Sequence, residues 1–121
     1  MKIFAIIVFA FSTSTYAQTL KIDYCKSILF SFATHESVVE TFETLSEVGN
    51  SDTVELGNNI AVNLQLKTLN LIEATFFNEG IQVKVSKLQI ENNKPGWNVF
   101  GITTMRSENV VYVGCRLIEV L

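Results

Sequence analysis

Residues 60–85 read IAVNLQLKTLNLIEATFFNEGIQVKV, and their pattern of apolar side chains gives the strongest indication of the fold class of the chain. Apolar side chains occupy alternate positions from Ile60 to Leu66, and the phase of this alternation then slips twice before Phe76. A period of two residues predicts β-strand, and a phase slip inside one long strand predicts a β-bulge or a sharp bend. The tripeptide Asn78-Glu79-Gly80 predicts a hairpin turn. This part of the chain is therefore expected to form a coiled antiparallel sheet.

Strand patterns continue on both sides of this stretch. Residues 81–90, 97–105 and 110–120 extend the sheet, and the turn residues at 92–96 (NNKPG) separate the first two of these segments. Upstream, residues 20–32 carry apolar side chains at most even positions. Their four-residue spacing at Tyr24, Ile28 and Phe32 also allows a helix, but the alternation and the β-forming residues favour a strand.

A different pattern lies between these segments, at residues 34–48. Val38, Phe42 and Leu45 share one face of a helix with a period of 3.6 residues, and glutamates occupy most of the other positions. Thr34 is a candidate N-cap, and Gly49 is a candidate stop. We therefore expect an α+β fold, in which this amphipathic helix packs on the antiparallel meander with Phe42 at the centre of the contact.

The first seventeen residues predict a cleavable signal peptide. A single lysine is followed by an apolar run of nine residues, a short polar stretch and Ala17, which is the secretory pattern. The apolar run is shorter than a membrane span of about 20 residues, so no stable membrane anchor is expected. The prediction divides the chain into a signal peptide at 1–17 and one secreted, extracellular domain at 18–121.

Charge and cysteine content limit the function classes. Without residues 1–17 the chain keeps 8 of its 9 basic residues and all 12 acidic ones, so its net charge is 8 − 12 = −4. A mildly acidic chain without a Lys/Arg cluster argues against nucleic-acid binding. Cys25 and Cys115 are the only two cysteines, and in an oxidising compartment they are expected to form one disulfide across a loop of about ninety residues.

No residue pattern indicates catalysis, a metal or a cofactor. His35 is the only histidine, and it has no nucleophile near it in sequence to complete a catalytic set. Two distant cysteines and one histidine do not supply the three or four ligands of a zinc site. The glutamates at 36, 40, 43 and 47 lack the spacing of a calcium-binding EF-hand. We therefore expect a protein that is not an enzyme and needs no cofactor.

Phe77 and Trp97 are the candidate contact residues. If Ile72, Ala74 and Phe76 face the core together with the residues at 81, 83 and 85, then Phe77 must lie on the other, largely polar face. Trp97 opens the strand after the 92–96 turn. Aromatic side chains at the rim of a sheet are frequent binding anchors, although core packing is the commoner role of such residues.

These features together predict a secreted, non-enzymatic binding protein that recognises an extracellular macromolecule. An alternative is a carrier of a small apolar ligand, which would need a cavity lined by strand residues. A further alternative is a secreted toxin or enzyme inhibitor that acts on another organism. The expected partner is therefore an extracellular protein or a small apolar ligand.

Overall fold

A computed structural model describes residues 19–43, 45, 47–106 and 108–120, and within them the chain forms two four-stranded antiparallel sheets. The signal peptide predicted at 1–17 lies outside the described residues. The strands are β1 (Leu20–Ser31), β2 (Ser37–Thr41), β3 (Ser51–Gly57), β4 (Ile60–Thr68), β5 (Leu71–Asn78), β6 (Ile81–Gln89), β7 (Gly96–Met105) and β8 (Asn109–Glu119). A short 3-10 turn, Ile90–Asn92, joins β6 to the loop before β7.

The two sheets differ in how the chain builds them. The second sheet has the order β3-β4-β5-β6, a meander of consecutive hairpins. The other has the order β2-β1-β8-β7, in which the first and last strands of the domain are neighbours. We call it the disulfide sheet, because Cys25 and Cys115 lie directly opposite each other on β1 and β8. Their Cα atoms are 4.0 Å apart, and the predicted disulfide is confirmed.

Hairpin geometry follows the turn residues of the sequence. Asn58 and Asn59 both have positive φ, as do Glu79 and Gly80. Two consecutive residues of this kind form a type I′ turn, whose twist matches that of the flanking strands. The turn expected at residues 78–80 is therefore present between β5 and β6, and a second turn of the same kind joins β3 to β4.

The α+β prediction is wrong, because the segment expected to be a helix forms strand β2 and irregular chain. Ser37–Thr41 pairs antiparallel with β1, and Val38 lies opposite Leu29. Val38, Val39 and Thr41 are β-branched, which favours extended backbone. Val38 is exposed, so the expected apolar stripe does not form. No α-helix occurs in the described residues, and in particular none there is long and apolar enough to cross a membrane.

The phase slip near Leu69 marks a hairpin between two strands, with a register shift of the bulge type beside it between Leu66 and Thr68. Leu69 and Asn70 form the loop between β4 and β5, and Leu69 is exposed. The Asn70 N–H donates to Thr68 Oγ1 at 3.2 Å. A side-chain hydrogen bond of this kind stabilises a turn without glycine or proline. The phase slip in the sequence therefore corresponds to a reversal of the chain at residues that contain neither glycine nor proline.

The inner faces of the two sheets form one hydrophobic core. The alternate residues Val62, Leu64 and Leu66 of β4 and Ile72, Ala74 and Phe76 of β5 are fully or nearly fully buried. They share this core with Val111, Val113 and Leu117 of β8. At its centre Gly101 leaves room for its neighbours, since a Cβ there would lie 2.7 Å from Phe76 Cζ. The core is therefore packed closely where β5 meets β7.

One expectation about β6 is also wrong. Ile81, Val83 and Val85 do not join the buried face and are exposed. A register shift beside Phe77 displaces β6 against β5, so that Val85 lies opposite Thr75 on the outer side. Only the end of the segment, at Leu88 and Ile90, enters the core.

Candidate functional site

The outer face of the disulfide sheet carries apolar and aromatic side chains where a sandwich would ordinarily be polar. Because side chains alternate along a strand, burial of Cys25, Ser27 and Leu29 leaves the even-numbered neighbours of β1 outside. The register of β8 and β7 continues this face. We call it the aromatic face, and it comprises Tyr24, Lys26, Ile28, Phe30, Val39, Trp97, Val99, Ile102, Val110, Tyr112, Gly114 and Arg116.

A β-bulge sets which residues of β1 point outward. The register with β8 shifts between Ile22 and Tyr24, so Asp23 is an extra residue. Before the shift, Leu20 and Ile22 pack against the core. After it, the even-numbered residues face solvent and Cys25 faces the core. The bulge therefore places the aromatic residues of β1 on the outer side.

Aromatic rings and cations interleave at one end of this face. Tyr24 and Trp97 meet edge to face, with ring centroids 5.0 Å apart. Lys26 Nζ lies 4.6 Å from the centroid of the Trp97 ring, and the Arg116 guanidinium carbon lies 4.9 Å from that of Tyr24. Both distances suit cation–π contacts. These contacts cover part of the Trp97 and Tyr24 rings, while Trp97 stays 42% exposed.

A hollow of about 230 Å³ lies beside Trp97. Its floor is Gly114, which has no side chain, and its walls are apolar except for Lys26 at the rim; the lining residues are Lys26, Ile28, Trp97, Val99, Tyr112 and Gly114. A Cβ on residue 114 would lie 3.1 Å from the Asn98 carbonyl oxygen, so the glycine also allows β7 and β8 to approach closely. The hollow has the size of one apolar side chain.

The two cationic residues of the aromatic face, Arg116 and Lys26, differ in their ion pairing. Arg116 is paired with Asp23, whose Oδ2 accepts a hydrogen bond from Arg116 Nε at 2.6 Å. Lys26 has no carboxylate within ion-pair distance among the residues that the structure describes. The aromatic face therefore carries at Lys26 a positive charge that no carboxylate of the described residues compensates, although the chain as a whole is acidic.

The structure places the two predicted contact residues on opposite sheets. Trp97 lies on the aromatic face, whereas Phe77 lies on the outer face of the second sheet and is half-buried. Phe77 lines a hollow of about 880 Å³ at the turn end of that sheet, together with Glu55, Asn58 and Glu79. No second aromatic ring accompanies Phe77 among the residues that line the hollow. The two residues cannot form one contact patch.

His35 occupies the turn between β1 and β2. It is exposed, has a φ of 60°, and its N–H donates to the Ser31 carbonyl oxygen at 2.8 Å. In the described part of the chain, no group of three or more His, Cys, Asp or Glu side chains is arranged to hold a metal ion. The geometry around His35 is that of a structural turn.

Comparison with known proteins found no matching family model, no matching curated protein and no matching solved structure. The function must therefore be inferred from the surfaces themselves.

Most of the aromatic face was not identified from the sequence. Trp97 was singled out, but Tyr24, Val99, Ile102 and Tyr112 were not. The signal that could have identified it is the position of Cys25. Cysteines in disulfides are usually buried. Because side chains alternate along a strand, an inward Cys25 leaves its neighbours Tyr24 and Lys26 on the outer face.

Proposed function

We propose that this chain is a secreted, non-enzymatic binding protein that recognises an extracellular protein through the aromatic face. The observation that carries the proposal is the exposure of large apolar side chains, among them Trp97, Val99 and Ile102, on one continuous sheet face. Contiguous apolar surface of more than a few hundred Å² is rare on a monomer and marks an interaction site. Tryptophan and tyrosine are also the residue types that dominate binding energy at interfaces.

The size of the face suits a protein partner. Strands β1 and β8 pair over eleven residue pairs, which corresponds to a length of roughly 35 Å, and four strands span about 19 Å. The planar area is then about 600 Å², since the edge strand β2 is short. A stable protein–protein interface buries about 800 Å² on each partner, so the aromatic face is large enough to provide most of the area that such an interface needs.

Secretion is supported by two independent features. The pattern at residues 1–17 is that of an export signal. The disulfide between Cys25 and Cys115 is typical of proteins from oxidising compartments.

A protein partner fits the hollows better than a small apolar ligand does. Ligand pockets usually enclose about 300–1,000 Å³ of mainly apolar space. The Gly114 hollow is smaller, at about 230 Å³, and the larger hollow beside Phe77 is lined mostly by polar side chains. A toxin or enzyme inhibitor remains one form that a protein binder could take, with the target's surface as the partner.

The proposal is tested by two matched double variants. Val99 and Ile102 are 57% and 49% exposed on the aromatic face, and Val83 and Val85 are 48% and 39% exposed on the second sheet. Replacing either pair by glutamine removes a similar apolar area without changing charge. The wild type and both variants, immobilised in the form that begins at Gln18, are used to capture proteins from the extracellular fluid of the source organism.

We expect the wild type and Val83→Gln/Val85→Gln to capture the same protein, identified by mass spectrometry. Val99→Gln/Ile102→Gln should lose it while keeping the wild-type unfolding temperature. Equal capture by all three proteins, or loss with the second-sheet variant alone, would overturn the proposed binding face.

A further inference from the structure

We propose that the Gly114 hollow selects a protein partner which presents one apolar side chain flanked by carboxylates. This inference rests on the proposed function and specifies the chemistry of the same face. It follows from the apolar lining of the hollow and from the Lys26 ammonium group at its rim, which pairs with no carboxylate among the described residues.

The lining determines the part of the partner that enters. Ile28, Val99 and Tyr112 form apolar walls, and Gly114 provides the floor. A buried polar group would find few partners there and would lose its hydrogen bonds to water. A phenylalanine- or leucine-sized side chain fills such a space and gains the free energy of apolar burial.

Lys26 determines the charge that accompanies this side chain. Its ammonium group is held over Trp97 and has no carboxylate partner among the described residues. A docked partner removes water from that group, which costs free energy unless the partner supplies a carboxylate. Arg116 adds no free positive charge, because Asp23 already pairs with it.

A second copy of the chain fits this face less well. It would bring another Lys26, and Asp23, the carboxylate that the described residues place beside this face, is bound to Arg116. Self-association would therefore bury two uncompensated ammonium groups, which interface cores avoid. Charge complementarity favours a different, acidic surface.

Three capped tripeptides serve as probes: acetyl-Asp-Phe-Asp-amide, its uncharged counterpart acetyl-Asn-Phe-Asn-amide, and acetyl-Lys-Phe-Lys-amide. Each is titrated into the ¹⁵N-labelled chain that begins at Gln18, and amide chemical shifts report both the site and the affinity. We expect the shifts to centre on Val99, Tyr112 and Gly114. The Asp peptide should bind about two- to fivefold more tightly than the Asn peptide, which is the usual size of a surface ion pair, and the Lys peptide should bind most weakly.

Variants of Lys26 separate charge from packing. Lys26→Met keeps the aliphatic stem on Trp97 and should make the Asp and Asn peptides bind equally. Lys26→Arg should retain the preference. Lys87→Met is the control, because Lys87 is exposed on the second sheet opposite Glu73, and it should change nothing.

Equal binding of all three peptides at Gly114 would overturn the carboxylate preference and leave the proposed binding face intact. Shifts that centre elsewhere, or no shift at Gly114, would overturn the subsite itself. Sedimentation velocity is run in parallel, and a dimer lost in Val99→Gln/Ile102→Gln would overturn the acidic partner in favour of a second copy. The capture experiment judges the proposed function separately.

Discussion

Phe32 and Phe42 are two phenylalanines in opposite environments that flank the short strand β2. Phe32 precedes the strand and is exposed, with its ring 5.0 Å from that of Phe30. Phe42 follows the strand and is buried, and its N–H donates to the Cys25 carbonyl oxygen at 3.0 Å. The burial of Phe42 expected from the sequence is therefore confirmed, although the helix that was to carry it is absent.

Substitution of these two residues tests the packing at the residue scale. Phe42→Ala should lower the free energy of unfolding by about 3–5 kcal/mol, because it leaves a cavity in a packed core. Phe32→Ala should change it by no more than about 0.5 kcal/mol, as surface substitutions usually do. Equilibrium unfolding in guanidinium chloride, followed by the fluorescence of Trp97, measures both. Similar stabilities for the two variants would contradict the placement of Phe42 in the core.

At the scale of elements, the disulfide joins two neighbouring strands that lie far apart in sequence. Cys25 and Cys115 are separated by 90 residues and connect β1 to β8 at the centre of the disulfide sheet. The aromatic face is built mainly on these two strands and on β7. A bond that restrains the pair should therefore stabilise the face as well as the fold.

Removal of this disulfide should lower the stability of the domain. The double variant Cys25→Ser/Cys115→Ser should lose about 2–5 kcal/mol of unfolding free energy, the usual cost of removing a native disulfide from a small secreted domain. Denaturant unfolding measures the loss, and peptide mapping without reductant should show one linked Cys25–Cys115 peptide pair in the wild type. An unchanged stability, or two cysteines that alkylate without reductant, would contradict it.

Strands of the second half of the chain could be predicted from sequence, whereas β2 could not. From residue 60 onward each strand is long enough to show alternation, and turn residues such as Asn58, Asn59 and Gly80 separate most of them. Strand β2 has five residues, too few for a period of two to stand out. The spacing of Val38, Phe42 and Leu45 matched a helix by chance, because Phe42 and Leu45 lie beyond the end of the strand.

Nor could sequence alternation show which side of β1 is buried. It separates two sets of residues, but it does not say which set packs against the other sheet. The more apolar set, which includes Tyr24, Ile28 and Phe30, lies outside, because the core accepts Cys25, the hydrogen-bonded Ser27 and Leu29. The strand could therefore be predicted from the local sequence, whereas the face that it buries depends on the packing of the two sheets.

On the scale of the whole molecule, the two sheets differ in the side chains of their outer faces, since the aromatic cluster lies on the disulfide sheet alone. The second sheet exposes a mixture of charged and aliphatic side chains, such as Glu55, Lys87 and Val85, whereas the disulfide sheet exposes Trp97 and its apolar neighbours. A domain with such a face is most stable in solution when a partner covers that face. This difference follows from the positions of side chains along paired strands.

The predicted export signal concerns the processing of the whole chain. Expression in a secretory host should yield a protein that begins at Gln18, with or without cyclisation of that residue to pyroglutamate. Intact mass spectrometry of the secreted product measures the start. A product that retains residues 1–17 would contradict the predicted signal peptide and the proposed secretion.

The most direct test of the proposed binding face compares the two aromatic residues that the structure places on opposite sheets. The dissociation constant of the captured partner is measured by surface plasmon resonance for the wild type, Trp97→Ala and Phe77→Ala. Trp97→Ala should raise it at least about tenfold, which corresponds to about 1.4 kcal/mol, and Phe77→Ala should leave it within about twofold. A loss of affinity with Phe77→Ala and none with Trp97→Ala would contradict binding through the aromatic face.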